Sequence, residues 1–104
     1  MLSLRIPIDA VIAMGTKTLE QVYSQLMSTQ SAALIDVLTF GYVNTPIIEN
    51  ATGRLEAYVT YWITGVVTVC KVEGEQCHLL GSRPWDHAPS KAECENLFCQ
   101  YRKE

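Results

Sequence analysis

Residues Arg54 to Val72 carry the strongest strand pattern in this chain, and they limit the folds that it can adopt. Apolar side chains alternate with polar ones along much of the stretch, which is the period-two pattern of a half-buried strand. Ordinary strands have about 3–10 residues, so this stretch is too long to be one. Gly65 is therefore expected to mark a bend, a bulge or a tight turn between two strands. The pattern favours a fold built on an antiparallel sheet.

Further strands are predicted on both sides of this stretch. A two-residue Glu73-Gly74 loop is expected to form a second hairpin, whose return strand covers Glu75–Leu80. The remaining segments with strand-like composition or alternation lie at residues 2–8, 34–43 and 47–48, with a turn at Asn44-Thr45-Pro46. The sheet is therefore expected to have four to six strands.

Two helices are predicted from capping signals and apolar spacing. Thr18 and Gln21 have the spacing of a capping box, and an apolar stripe at helical spacing follows them: Leu19, Val22, Tyr23, Leu26 and Met27. Ser90 and Glu93 form a second capping box, which predicts a C-terminal helix from Lys91 to about Arg102. The chain is thus predicted to be one α+β domain over residues 1–104. It has a mainly antiparallel sheet, one amphipathic helix packed on it and a C-terminal helix stapled to the last hairpin.

Composition excludes several classes of function for these 104 residues. The net charge is −3 and the basic residues are scattered singly, so nucleic-acid binding is not expected. No apolar run reaches the length of about 18 residues that a membrane span requires. The sequence also has no glycine-rich phosphate loop, and no cofactor is predicted. Charged residues make up 18 % of the chain, against a usual fraction of about 25 %. That low fraction suggests surface buried against a protein partner or in a homo-oligomer.

All four cysteines lie in the C-terminal third of the chain: Cys70, Cys77, Cys94 and Cys99. A Glu73-Gly74 loop would place Cys70 opposite Cys77 on one face of the hairpin. Cys94 and Cys99 are about 140° apart around a helix, so an intact helix keeps them from joining. The pattern favours two disulfides between the helix and the hairpin. Two alternatives stay open: local Cys70–Cys77 and Cys94–Cys99 pairing where the helix has unwound, and free or metal-bound thiols.

The state of these thiols also bears on compartment and on metal binding. Bridged cysteines would indicate a secreted or periplasmic protein, and reduced ones a cytoplasmic protein. Zinc is the weaker interpretation, because structural zinc ligands are usually paired about two to four residues apart on tight turns. The candidate ligands Cys77-His78, His87, Cys94 and Cys99 lack that spacing, so no metal is predicted.

Two surfaces are candidates for binding. Trp85-Asp86-His87 lies in a loop between two prolines, and both tryptophan and scaffold-held loops are enriched at binding sites. Tyr58 and Trp62 lie on the second face of the long strand, where they would form an aromatic platform for a ligand or a subunit interface. Each surface has a second interpretation without a binding role. Trp85 would then pack under the C-terminal helix, and the face with Tyr58 and Trp62 would be ordinary solvent-exposed surface.

The favoured function is that of a small non-enzymatic interaction protein, such as an inhibitor, an immunity-type binder or a viral accessory module. It would act through a disulfide-anchored loop or the aromatic sheet face. The alternative is a cytosolic small-molecule-binding or enzymatic domain, with a pocket between helix and sheet that uses Asp36, His78 or His87. No serine–histidine–acid pattern is present. A nucleophile pair of Cys77 or Cys99 with His87 requires free thiols.

Overall fold

A computed structural model describes residues 17–102 of the chain as a five-stranded antiparallel sheet with helices on both faces. The elements are α1 (Leu19–Thr29), β1 (Ser31–Ala33), α2 (Leu34–Phe40), β2 (Val43–Ile48), β3 (Leu55–Trp62), β4 (Val66–Glu73), β5 (Gln76–Pro84) and α3 (Lys91–Arg102). The strand order is β1-β5-β4-β3-β2. This arrangement confirms the predicted α+β class. The predicted strand at residues 2–8 lies outside the described residues.

The alternation of side chains along β3 and β4 divides the core into two layers. The α3 face of the sheet buries Ile47, Ala57, Val59, Val67 and Val69 against Cys94, Leu97 and Phe98 of α3. The opposite α1/α2 face buries Trp62, Cys70, Cys77 and Ala32 against Val22 and Leu26 of α1 and Val37 of α2. Because helices cover both faces, the central strands are buried on both sides.

Local capping and turn signals confirm the predicted helix starts and the first hairpin. The Thr18 side chain accepts from the Gln21 amide and the Gln21 side chain accepts from the Thr18 amide, which completes the capping box of α1. At α3 the Ser90 amide donates to Glu93 at 2.8 Å. Gly65 has a φ of 89° in the turn between β3 and β4, a value that glycine adopts without a steric penalty. None of the helices within residues 17–102 is long and apolar enough to cross a membrane.

The predicted strand at residues 34–43 is wrong, because residues 34–40 form α2. Val37 is fully buried on this short helix, and Leu34 and Phe40 pack against the same core. Their spacing of three residues suits one helical face, and this tertiary burial outweighs the β-propensity of the segment. The helix ends at Gly41, where a Cβ atom would overlap the Thr60 methyl group.

The predicted turn at Asn44-Thr45-Pro46 is also wrong, because these residues belong to β2. β2 is an edge strand, where a proline without an N–H group is tolerated, and Pro46 pairs with Tyr58 of β3. The Asn44 side chain accepts from the Thr60 hydroxyl at 2.8 Å and donates to the Leu38 carbonyl at 3.2 Å. Asn44 therefore ties α2 to two strands.

The predicted disulfides are wrong, since all four cysteines lie within the described residues and all four are free thiols. The β4–β5 loop is Gly74-Glu75, so Cys77 pairs with Val72 and Cys70 with Leu79. Cys70 and Cys77 lie on the α1/α2 face, whereas Cys94 is buried on the α3 face. The sheet separates them, and Cys99 is exposed on α3. The predicted staple between helix and hairpin therefore cannot form.

α3 crosses the α3 face diagonally, and this determines which part of the sheet it leaves uncovered. Near its start, Cys94 packs in the same core cluster as Ile47 of β2. Near its end, the Tyr101 ring lies directly on Gly81 of β5, where a Cβ atom would overlap the ring. The end of the sheet with the β3–β4 turn is called the row end, after a row of aromatic side chains that lies there, and the end with the β4–β5 loop is called the hairpin end.

Candidate functional site

Two pairs of aromatic rings lie at the row end of the sheet, and one hydrogen bond joins the pairs. The Tyr42 and Tyr61 ring centroids are 6.4 Å apart. The Tyr61 hydroxyl donates to the Trp85 carbonyl at 3.3 Å, and the Trp85 and His87 ring centroids are 6.0 Å apart. These four residues are called the aromatic row below. They join the start of β2, the end of β3 and the loop after β5 into one surface.

The aromatic row has a buried middle and exposed ends. Tyr61 and Trp85 are partly buried and pack against the core of the α3 face. Tyr42 is 64 % exposed, and Ile63 in the adjacent β3–β4 turn is 68 % exposed. The middle of the row is therefore fixed by the core, while Tyr42 and the adjacent Ile63 offer apolar surface to solvent.

The loop that carries Trp85 is held at both ends. The Trp85 amide donates to the Gly65 carbonyl at 2.9 Å, which links the loop to the β3–β4 turn. Pro89 is buried, and its carbonyl accepts from the Cys94 thiol at 3.9 Å. A shallow cavity of about 450 Å³ is lined by Gly65 and by residues Pro84, Trp85, Asp86 and His87. The Trp85 Nε1 atom is buried and finds no acceptor among residues 17–102.

His87 contacts a carboxylate through each of its ring nitrogens. Nδ1 lies 2.6 Å from Asp86 Oδ1, and Nε2 lies 3.1 Å from both Glu93 oxygens. Ionised carboxylates only accept hydrogen bonds, so both nitrogens must carry protons to satisfy both contacts. The hydrogen bond to Asp86, and then that to Glu93, raise the pKa of His87 above its usual value. The geometry therefore describes an imidazolium ion between two carboxylates.

The same contacts stabilise the two carboxylates in their ionised forms. The hydrogen bond from His87 lowers the pKa of Asp86. The backbone amide of Ser90 is the main cause that lowers the pKa of Glu93, and His87 adds to it. Glu93 therefore caps α3 and binds the loop at once. The sequence identified its capping role but not its contact with His87, because no short-range pattern links a loop residue to the first turn of a helix.

The second predicted surface, Tyr58 with Trp62, is not an aromatic platform. Trp62 is fully buried on the α1/α2 face, where its Nε1 donates to the Thr68 hydroxyl at 2.9 Å. Its ring packs edge-on against Tyr23, with centroids 5.3 Å apart. Tyr58 is partly buried on the same strand. The sequence pattern correctly placed Tyr58 and Trp62 on the same face of β3, but this face was expected to be exposed and α1 covers it at Trp62.

The residues predicted for a helix–sheet pocket lie apart from one another. Asp36 on α2 pairs with Lys17 at 2.5 Å, and His78 on β5 pairs with Glu73 at 3.2 Å. His87 lies in the loop after β5, with both ring nitrogens engaged. Within residues 17–102, no three His, Cys, Asp or Glu side chains form a metal-binding group.

The surroundings of the three buried thiols shift their pKa values in different directions. A hydrogen bond with Cys77, together with burial, raises the pKa of Cys70. Burial raises the pKa of the Cys94 thiol as well. Since the thiolate is the reactive form, these environments favour an inert role for Cys70 and Cys94. The hydrogen bond with Cys70 lowers the pKa of Cys77, but the Cys77 thiol is buried. His87 has no free lone pair with which to activate any thiol.

No family model matches this chain, and no curated protein or solved structure matches it. The chemistry of the described residues is therefore the ground on which a function can be assigned. Aromatic, apolar and charged side chains lie together at the row end of the sheet, where the aromatic row adjoins Ile63, Asp86 and Glu93.

Proposed function

We propose that this chain is a small non-enzymatic protein-interaction module whose contact surface is the aromatic row with Ile63. The observation that carries the proposal is that two aromatic pairs, Tyr42–Tyr61 and Trp85–His87, are joined by the hydrogen bond from the Tyr61 hydroxyl to the Trp85 carbonyl. Tyrosine and tryptophan are enriched in the centres of protein interfaces because they bury large areas at a low cost in side-chain entropy.

The fixed geometry of the row supports this proposal. Tyr61 and Trp85 are held by the core and by their shared hydrogen bond, so binding a partner would cost little ordering of these side chains. The Asp86–His87–Glu93 contacts hold the outer part of the loop against α3. A surface ordered before binding retains more of its contact energy as affinity.

The charges around the row indicate the kind of partner. The Asp86 side chain is 96 % exposed and bears an ionised carboxylate. The neighbouring Ile63 and Tyr42 are apolar and exposed. The partner that fits this surface is a protein segment in which an arginine or lysine stands beside apolar side chains. The cation would be attracted to the group of Asp86, His87 and Glu93, whose two carboxylates and one imidazolium have a net charge of −1, while the apolar groups cover the row.

The test is selection of binding peptides from a displayed random library on the purified chain. We expect enriched peptides that combine arginine or lysine with aromatic or aliphatic residues. Ile63→Glu should abolish their binding. Ile35→Glu is the matched control, because Ile35 on α2 is also 68 % exposed but lies away from the row, and this variant should bind like the parent chain.

Two outcomes would contradict this assignment. Peptides that lose binding to both isoleucine variants equally would place the contact surface elsewhere. A parent chain that enriches no peptide and sediments as a monomer would remove the interaction role. Sedimentation of a dimer that Ile63→Glu converts to monomer would identify the partner as a second copy of the chain, which is the homo-oligomer that the composition suggested.

A further inference from the structure

A groove at the hairpin end of the sheet has different chemistry from the aromatic row. It exists because α3 ends over β5 and leaves the α3 face uncovered beside the Gly74-Glu75 loop. Its volume is about 840 Å³, within the range of about 300–1,000 Å³ that small-molecule sites occupy. No residue of the aromatic row lines it.

Apolar surface makes up about half of the lining of the groove. Leu55 of β3, Leu80 of β5 and the Phe98 and Tyr101 rings of α3 line it. The Tyr101 ring is fixed, because it lies against Gly81 and its hydroxyl accepts from Arg83 Nε at 3.0 Å. This wall would therefore keep its shape when a ligand enters.

The rim of the groove is positive, although the chain as a whole carries a net charge of −3. Three of the eight basic residues line it, namely Arg54, Lys71 and Arg102, against two carboxylates, Glu56 and Glu73. Glu73 is already engaged, with Lys71 at 3.7 Å and His78 at 3.2 Å.

The two arginines are the groups available to a ligand. Neither Arg54 nor Arg102 forms an ion pair with another residue of the described range. The Arg102 guanidinium lies 5.3 Å from the Phe98 ring centroid, so charge and apolar surface adjoin. A guanidinium group binds carboxylate and phosphate groups in a bidentate manner.

We propose that this groove binds an anionic amphiphile. Its aliphatic chain would lie on the apolar interior, and its carboxylate, phosphate or sulfate head group would pair with Arg54 and Arg102. The carbonyl groups at the end of α3 form the negative pole of the helix and oppose an anion. Arg102 lies in that last turn and offsets them.

The experiment is a calorimetric titration of the chain with dodecanoate below its critical micelle concentration. We expect saturable binding of dodecanoate and none of acetate, which has the head group alone. Affinity should rise by up to about fourfold for each methylene added between octanoate and dodecanoate. Dodecyltrimethylammonium should bind much more weakly, because the rim is positive.

Arg102→Glu should weaken dodecanoate binding by about tenfold or more, since hydrogen bonds to charged groups are the stronger ones. Lys91→Glu is the matched control, with the same change of charge at the other exposed end of α3, and it should leave the affinity unchanged. Ile63→Glu should also bind dodecanoate normally, which separates this site from the aromatic row.

Three results would overturn the proposal. They are an absence of saturable dodecanoate binding to folded chain, equal affinity for the cationic amphiphile, and equal loss of affinity in Arg102→Glu and Lys91→Glu. Thermal unfolding of each variant establishes that it is folded before its titration is interpreted.

Discussion

His87 and Glu93 join the loop after β5 to the first turn of α3 through contacts of 3.1 Å from Nε2 to both carboxylate oxygens. Glu93 also accepts from the Ser90 amide at the start of the same helix. One carboxylate therefore fixes the start of α3 and the position of the aromatic row at once. Any change in the charge of either residue acts on both.

The pH dependence of this contact follows from the directions of the pKa shifts. The pKa of His87 is raised, so the contact is complete below the usual histidine pKa of about 6.5 and is lost as pH rises through the higher folded-state pKa. The pKa values of Asp86 and Glu93 are lowered, so the contact is also lost as pH falls through those values. The loop is therefore expected to be most ordered between these two limits.

An NMR titration of the His87 ring measures this prediction directly. The ring should titrate above the value of about 6.5 for an unperturbed histidine, and Glu93→Gln should lower its pKa. Glu95→Gln is the control, because Glu95 is an exposed carboxylate two residues further along α3. A His87 pKa at or below the unperturbed value in the parent chain would contradict the doubly bonded imidazolium.

Asn44→Ala should destabilise the chain by about 1–3 kcal/mol, because it leaves two hydrogen-bonding groups without their partner. Those groups are the fully buried Thr60 hydroxyl and the carbonyl of Leu38 in α2. The free energy of unfolding in urea measures the change. Asn50→Ala, in the exposed turn after β2, should change it by no more than about 0.5 kcal/mol. Equal effects of the two substitutions would show that Asn44 does not anchor α2.

The elements that could be predicted from the sequence are those that local chemistry decides. The capping boxes at Thr18 and Ser90 lie at the starts of α1 and α3, and Gly65 turns the chain between β3 and β4. These signals depend on residues within a few positions of one another. α2 depends instead on the burial of Val37 against α1, which a single sequence does not reveal.

The candidate site was predictable only in part for the same reason. Trp85-Asp86-His87 stands out as a loop in the sequence. Tyr42 joins it because β2 pairs with β3 so that Val43 lies opposite Tyr61, and that register is a long-range property. The position of the β4–β5 loop was missed by one residue, which moved Cys77 from the position opposite Cys70 to a diagonal one.

The four thiols should differ in reactivity according to their burial. Cys70, Cys77 and Cys94 are buried, and only Cys99 is exposed. The test uses native chain purified with a reductant and a chromogenic disulfide reagent that reacts with thiols by exchange. One thiol should react rapidly, and the other three should react only as the chain unfolds. Cys99→Ser should remove the rapid phase, whereas Cys94→Ser should leave it. Intact mass with and without alkylation checks the count. A mass that is lower by two or four hydrogen atoms in protein purified without a reductant, the loss expected for one or two disulfides, would contradict the free thiols.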